Sequence, residues 1–265
     1  MKDNLKMSLL DSWANWQPDS PPFILDGDRE MLESQQSMKH IITYRSWQEA
    51  FLAPYFCAPG DKKLHLGLLP QPFFGDVRNA TIYILLLNPG LGPSDYFGEY
   101  EVPQYRAALL ANLQQHSQSA FPFLFLDPQF SWHGGFNWWH GKLARVIQCL
   151  AEARGISFAE ARSYLASIIA SVELLPYHSP AFRDAGNWRQ KLESVRLVCA
   201  FAKEFIFPRV ESGNAIVIIT RNVGVWNLPK HQGVITYTAG QARGAQLTPD
   251  SPGGKAILKH LGVLE

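Results

Sequence analysis

The stretch Val77 to Leu87 turns almost wholly aliphatic and β-branched from Ile82 onward, then stops at Asn88-Pro89-Gly90. A run this short and apolar on both faces reads as a strand buried inside a sheet, since a half-exposed strand would alternate with polar residues. The Pro-Gly turn marks where the chain leaves that sheet. Three further segments read as strands: Val172 to Leu175, Ala215 to Thr220 and Val234 to Thr238. Helical patterns separate or flank them at Gln104 to Gln115, Gly141 to Arg154, Ser157 to Ser171, Trp188 to Phe207 and Gly254 to Leu261, with an aromatic loop from Phe121 to His140. The alternation predicts an α/β fold, a three-layer α/β/α sandwich around a short, mostly parallel four-stranded sheet. Ligands of such sheets bind beyond the carboxyl ends of the strands. The residues just past Leu87, Val172, Thr220 and Tyr237 are therefore where chemistry is expected.

The 265 residues, 46% hydrophobic, suffice for one substantial core. Residues 1–63 mix short apolar clusters with proline and acidic residues, and around Trp47 the pattern turns helical. They are read as a helical N-terminal cap on an α/β domain spanning 64–265. No apolar run is long enough to span a bilayer, and the first residues lack a basic-then-apolar signal pattern, so a soluble, cytoplasmic, monomeric protein is expected. Cys57, Cys149 and Cys199 lie far apart without metal-ligand spacing, and no metal or other cofactor is expected. The net charge of +1 hides an asymmetry: from His178 onward there are 11 Lys and Arg against 6 Asp and Glu, and before it 13 against 17. A basic C-terminal third suits a phosphate-binding face as well as it suits solvated surface charge.

The chain has no GxSxG nucleophile elbow, no GxGxxG fingerprint and no complete phosphate loop, which disfavours common hydrolase, dehydrogenase and nucleotidase chemistries. Leu86-Leu87-Asn88-Pro89-Gly90-Leu91, by contrast, resembles the first motif of the uracil-DNA glycosylase superfamily, closest to its mismatch-specific uracil/thymine branch. The resemblance implies that Asn88 positions the attacking water and that Pro89, Gly90 and Leu91 bring backbone against an extruded base. An oxocarbenium-like sugar needs only a well-placed, weakly activated water.

Further segments follow in the family's order. Phe121-Pro122-Phe123 resembles the segment whose ring stacks on the base, with Phe125 a rival for that role. Phe136-Asn137-Trp138-Trp139, running into Lys142 and Arg145, resembles the family's aromatic entry into a helix; both tryptophans suit helix packing. Glu173 stands where the family carries a base-reading side chain, often Asn. An ionised carboxylate only accepts hydrogen bonds, so Glu173 suggests a base with an exocyclic amine, such as a cytosine, while a structural ion pair is the alternative. The final motif departs: Thr238 to Gly244 lacks the family's His or Asn. His178 is a substitute acid or electrophile, and Arg221, Gln241 and Arg243 join Lys142 and Arg145 as candidate DNA contacts.

The resemblance thus implies a monofunctional DNA glycosylase with DNA as its partner, leaving an abasic site. A modified cytosine is the expected target, with glucosylated 5-hydroxymethylcytosine of phage DNA as candidate and antiviral defence as the setting. The alternatives are a silent DNA-binding module of the same fold, a uracil/thymine mismatch glycosylase, or a hydrolase of free nucleosides.

Overall fold

A computed structural model describes residues 8–16, 19–34, 38–58, 60–116, 119–182 and 191–264. In chain order the first half contains α1 (Ser8–Ala14), α2 (Asp26–Leu32), β1 (Ile41–Ile42), α3 (Trp47–Leu52), β2 (Leu64–His65), β3 (Phe73–Phe74), β4 (Ile82–Leu86), α4 (Pro93–Glu101) and α5 (Pro103–Leu113). The second half contains α6 (Gly134–Arg154), α7 (Phe158–Ile168), β5 (Ile169–Glu173), α8 (Glu193–Phe201), α9 (Phe207–Glu211), β6 (Ile216–Ile219), α10 (Val223–Trp226), β7 (Val234–Thr236), α11 (Ala239–Ala242) and α12 (Pro252–His260). Among the described residues no helix is long and apolar enough to cross a membrane.

The protein is a mixed α/β structure whose main sheet is mostly parallel, with strand order β3-β5-β4-β6-β7. Strands β4 and β6 pair in parallel from Ile82↔Ile216 to Leu85↔Ile219, and β6 pairs with β7 from Val217↔Val234 to Ile219↔Thr236. Strand β5 and edge strand β3 are buried throughout, whereas the opposite edge strand β7 is not, its Thr236 being exposed. The sheet has five strands rather than the expected four. The addition is the aromatic pair β3, too short to show a period of its own. A second, two-stranded sheet pairs β1 with β2.

Local chemistry explains the ends of the elements. Helix α7 begins with a reciprocal cap, Ser157 accepting from Glu160 N and the Glu160 carboxylate from Ser157 N, and passes into β5 without a turn residue. Strand β5 therefore starts at Ile169, earlier than the expected Val172. Helix α6 starts at Gly134, inside the segment read as an aromatic loop, with His133 Nδ1 accepting from Gly135 N at 2.9 Å. It ends at Gly155, whose φ of +62° is a left-handed cap. The expected helix to Phe207 runs from Glu193 and turns π-helical over Ala202–Ile206. Pro208 supplies no N–H to that last turn, which is why the regular ladder slips there. Its expected start at Trp188 lies outside the described residues.

The chain forms two compact units, each discontinuous in sequence. The first comprises Met1–Phe73, Leu87–His116 and Glu173–Phe201, and the second Phe74–Leu86, Ser117–Val172 and Ala202–Glu265. The N-terminal residues thus belong to a unit with later segments. In the first unit, Ala50, Leu68 and Tyr96 form a core against which Tyr44, Trp47, Phe56, Leu91 and Tyr100 pack. Asp28, fully buried, ties the N-terminal helices to the rest: it accepts from the Tyr177 hydroxyl at 2.6 Å and from Ser194 N at 3.0 Å. In the second unit, Phe74, Phe123, Phe125 and Trp139 are all buried, Phe74 lying 4.4 Å from the Phe125 ring and Phe123 4.8 Å from Trp139.

Candidate functional site

In the first unit the chain leaves β4 into the Asn88 turn, and Leu175 N donates to Leu87 O at 3.0 Å, holding the segments after β4 and β5 side by side. Gly90 has φ +77°, a conformation that favours glycine, and a Cβ there would meet nothing within 4 Å. The half-buried Asn88 donates from Nδ2 to Ser179 Oγ at 3.0 Å and to the Ser179 carbonyl at 3.2 Å. A carbonyl only accepts, which fixes the amide orientation. Oδ1 is left as the group's acceptor, the function needed to hold a water by one of its hydrogens. Ser179 is oriented in turn by donating to Ala181 O at 3.1 Å.

His178 is fully buried, and its Nδ1 lies 2.9 Å from Gly90 O. The proton on that nitrogen is therefore donated to the carbonyl, leaving Nε2 bare. Burial lowers its pKa to about 4, outweighing the Gly90 and Leu69 backbone, which favour the charged form. His65 pairs with His178 through a backbone bridge, places its ring 3.3 Å from the Tyr96 hydroxyl, and is likewise lowered to about 4 by burial. The expectation of an acid at His178 is thereby corrected: a neutral, enclosed imidazole braces the Gly90 turn.

Glu173 ends β5, fully buried, with Oε2 lacking a hydrogen-bond partner, and burial alone raises its pKa to about 8. An ionised carboxylate that only accepts is thus not the form favoured at neutral pH. The neutral acid both donates and accepts. No ion pair holds Glu173, so the structural alternative also lacks its partner among the described residues.

Past the turn, Leu91 packs into the Tyr96 core, which replaces its expected role against a base. Half-buried Pro89 sets the turn. Asp95 Oδ2 accepts from Gly92 N at 2.7 Å, with its pKa raised by burial to about 7. Glu99 Oε2 accepts from Leu69 N at 2.8 Å, and burial pushes its carboxyl well above the usual range despite Arg106 at 3.8 Å. Sequence reasoning missed Ser179, His65, Asp95 and Glu99. Only Asp95 had a readable signal, as the third helical residue after Gly92-Pro93.

The second unit corrects several expectations. Phe123 and Phe125 are core rings: Phe123 stands edge-on to Trp139, and Phe125 lies on the His133 ring and fills the space beside Gly135, so neither offers an open stacking face. Trp139 is buried, as expected of a packing residue, whereas Trp138 is 44% exposed. Lys142 is engaged, its Nζ donating to Gly244 O at 2.8 Å and Ala245 O at 3.0 Å and lying 4.4 Å from the Trp138 ring centre. Its pKa is lowered by burial and then by the charge of Arg221. Arg221 donates to Ala242 O and Arg243 O. Gln241 is turned inward, accepting from Thr238 N and Thr238 Oγ1 at 3.0 Å, so its expected reach toward DNA is spent on capping α11. Arg145 pairs with Asp250 at 3.5 Å in solvent, and Arg243 is exposed.

Among the described residues no group of three His, Cys, Asp or Glu is placed to hold a metal ion. No protein-family model, curated protein or solved structure matches this chain.

Proposed function

We propose that the protein is a DNA glycosylase that hydrolyses the N-glycosidic bond of an extruded base. The observation that carries this reading is the Asn88 amide, whose nitrogen is committed to Ser179 while Oδ1 remains an acceptor at the mouth of a glycine-dependent turn. Oδ1 holds one hydrogen of a water whose oxygen adds to C1′. The C1′–N bond breaks with its electrons passing to the base, and the water's second proton leaves to solvent or to the departing base. Abasic DNA and free base result. His178 and Ser179 act as positioning residues for the turn and for Asn88.

Glu173 reads the base edge as a neutral acid. Its O–H donates to cytosine N3 while its carbonyl accepts from N4, or donates to uracil O4 while the carbonyl accepts from N3–H. The target class at neutral pH therefore includes both 4-oxo bases and cytosine-type bases, the glucosylated hydroxymethyl form among them, and ionisation of Glu173 removes one hydrogen bond from either. The second reading, a silent DNA-binding module, is favoured by the inward-turned Gln241 and the missing His or Asn of the final motif. Incubation with duplexes carrying uracil, thymine mismatches, cytosine and its modified forms, followed by alkali cleavage, decides between them. Alkali-labile sites that vanish in Asn88→Ala support the glycosylase; binding with no cleavage on any substrate supports the silent module.

A further inference from the structure

Pro70-Gln71-Pro72 is buried throughout, with Gln71 only 4% exposed. Neither proline has an N–H, and each disfavours a helical conformation at the residue before it, so the tripeptide is stiff and carries a single backbone donor. That donor, Gln71 N, goes to Pro176 O at 2.8 Å, while Pro72 O accepts from Glu173 N at 2.9 Å. The segment from Glu173 to Pro176 is thus bonded to Gln71 and, through Leu175 N and Leu87 O, to the turn of Asn88. All of these residues lie in the first unit.

The side chain of Gln71 has no such engagement. Its Nε2 is buried without a hydrogen-bond partner, and so is Oε2 of Glu173 on the segment bonded to it. An amide and a carboxyl buried on adjoining segments therefore do not satisfy each other. Folding alone gives no reason to keep this amide, because a methionine of similar size would fill the space without stranding a donor. Two unmatched groups beside the Asn88 turn point instead to a ligand that brings the missing partners.

The chemistry of base excision identifies the atom that Gln71 meets. Glu173 takes positions 3 and 4 of the pyrimidine, cytosine or uracil alike, which leaves O2 as the remaining polar atom of the ring. O2 accepts in both bases, and an amide nitrogen only donates. When the C1′–N1 bond breaks, its electron pair passes to N1 and is shared with O2. A donor at O2 is therefore stronger in the transition state than in the ground state. We propose that Gln71 is a catalytic residue, its Nε2 donating to O2 of the extruded pyrimidine and stabilising the negative charge that arrives there as the base departs. The proposal rests on the glycosylase reading, and it removes the ground for a silent module, the missing His or Asn of the final motif. Gln71 keeps its proton throughout; N1 takes one from solvent, and the water that adds to C1′ releases one.

The test is single-turnover excision from duplexes carrying uracil, cytosine and the 2-thio counterpart of each. Gln71→Met is expected to slow excision of the 2-oxo bases about a hundredfold at unchanged duplex affinity. Sulfur is a poor acceptor, so on the 2-thio bases wild type and variant should differ by less than about threefold. Gln71→Met should also be at least as stable as wild type in urea, since it removes an unmatched buried donor. A structural role gives the reverse pattern, a destabilised variant with equal losses on 2-oxo and 2-thio bases, and that result overturns the proposal. Excision of the 2-oxo bases by Gln71→Met at the wild-type rate overturns it too. Should Gln71→Met not fold, Gln71→Asn keeps the amide and draws it back by one methylene. Its loss should likewise be confined to the 2-oxo bases, and an equal loss on both overturns the proposal. A wild-type protein that excises none of the four bases rejects the glycosylase reading and the role of Gln71 together, whereas failure of Gln71 alone leaves wild-type excision intact.

Discussion

Asn88 gives both hydrogens of its amide to Ser179 and keeps Oδ1 for a water, so its loss should divide chemistry from binding. Asn88→Ala is expected to lower single-turnover excision about a hundredfold with little change in duplex affinity, because water placement matters in the transition state and phosphate contacts act throughout. Equal losses in rate and affinity would remove Asn88 from the water's path. Gly90 separates backbone from side-chain effects at the same turn. A Cβ there meets open space, so Gly90→Ala should cost only the left-handed backbone, roughly 1–2 kcal/mol in chemical denaturation. A cost near zero would mean that the turn relaxes to another conformation. These residues were legible in sequence because an apolar run ending in Asn-Pro-Gly specifies both strand end and turn. The protonation of Glu173 was not, since a carboxylate's charge depends on the burial and missing partners around it, which the position of a residue in a strand does not record.

At the scale of elements, the sheet's long strands were readable and its short pieces were not. Strands β4 and β6 declare themselves through branched aliphatic runs, whereas β3 has two residues and is a strand only by virtue of its neighbours. Helix α4 was hidden by glycine and proline at its start and by the polar character of its sequence; its buried Asp95 and Glu99 work inward, pinning Gly92 and Leu69. Phe123 and Phe125 mislead for a related reason: aromatic residues at a motif position satisfy a packing demand as readily as a ligand's. The N-terminal helices carry a specific expectation. Asp28 accepts from Tyr177 Oη and Ser194 N inside the first unit, so Asp28→Ala leaves two buried donors unpaired. Such a loss is worth about 2–4 kcal/mol. Urea denaturation should show it, and amide exchange should rise first around Ser194 and Tyr177. A variant as stable as wild type would mean that the N-terminal helices are held by apolar packing alone.

For the whole molecule, buried ionisable groups set an unusual dependence of stability on pH. Glu173 rises from 4.5 to about 8, Asp95 from 3.8 to about 7, and Glu99 rises well above 4.5, all chiefly through burial. Each holds its proton in the folded state at pH values where the unfolded chain has released it. Their contribution is therefore complete below the unfolded values and is lost as pH rises through the folded ones. His65 and His178 work in the opposite direction, falling from 6.5 to about 4: the unfolded chain binds their protons first, so stability is lost as pH falls from about 6.5 toward 4. Between pH 4.5 and 6.5 the two sets oppose each other and the slope is shallow. Above 6.5 the histidines are neutral in both states and only the acids remain, so stability should fall steeply from pH 7 to 8. Glu173 alone accounts for a loss of at most about 5 kcal/mol across its window. Glu173→Gln cannot ionise and should flatten the curve between pH 6 and 8. The same variant also bears on base reading, because ionisation takes from wild-type Glu173 the donor that meets cytosine N3 or uracil O4, so excision should fall as Glu173 ionises, while the amide form keeps its donor at every pH. Denaturation midpoints and excision rates measured on both proteins at pH 6, 7, 8 and 9 read the two effects from one set of samples. A wild-type midpoint that stays level or climbs from pH 7 to 8 would show Glu173 ionised in the folded protein, and the neutral-acid account of base reading would fail with it.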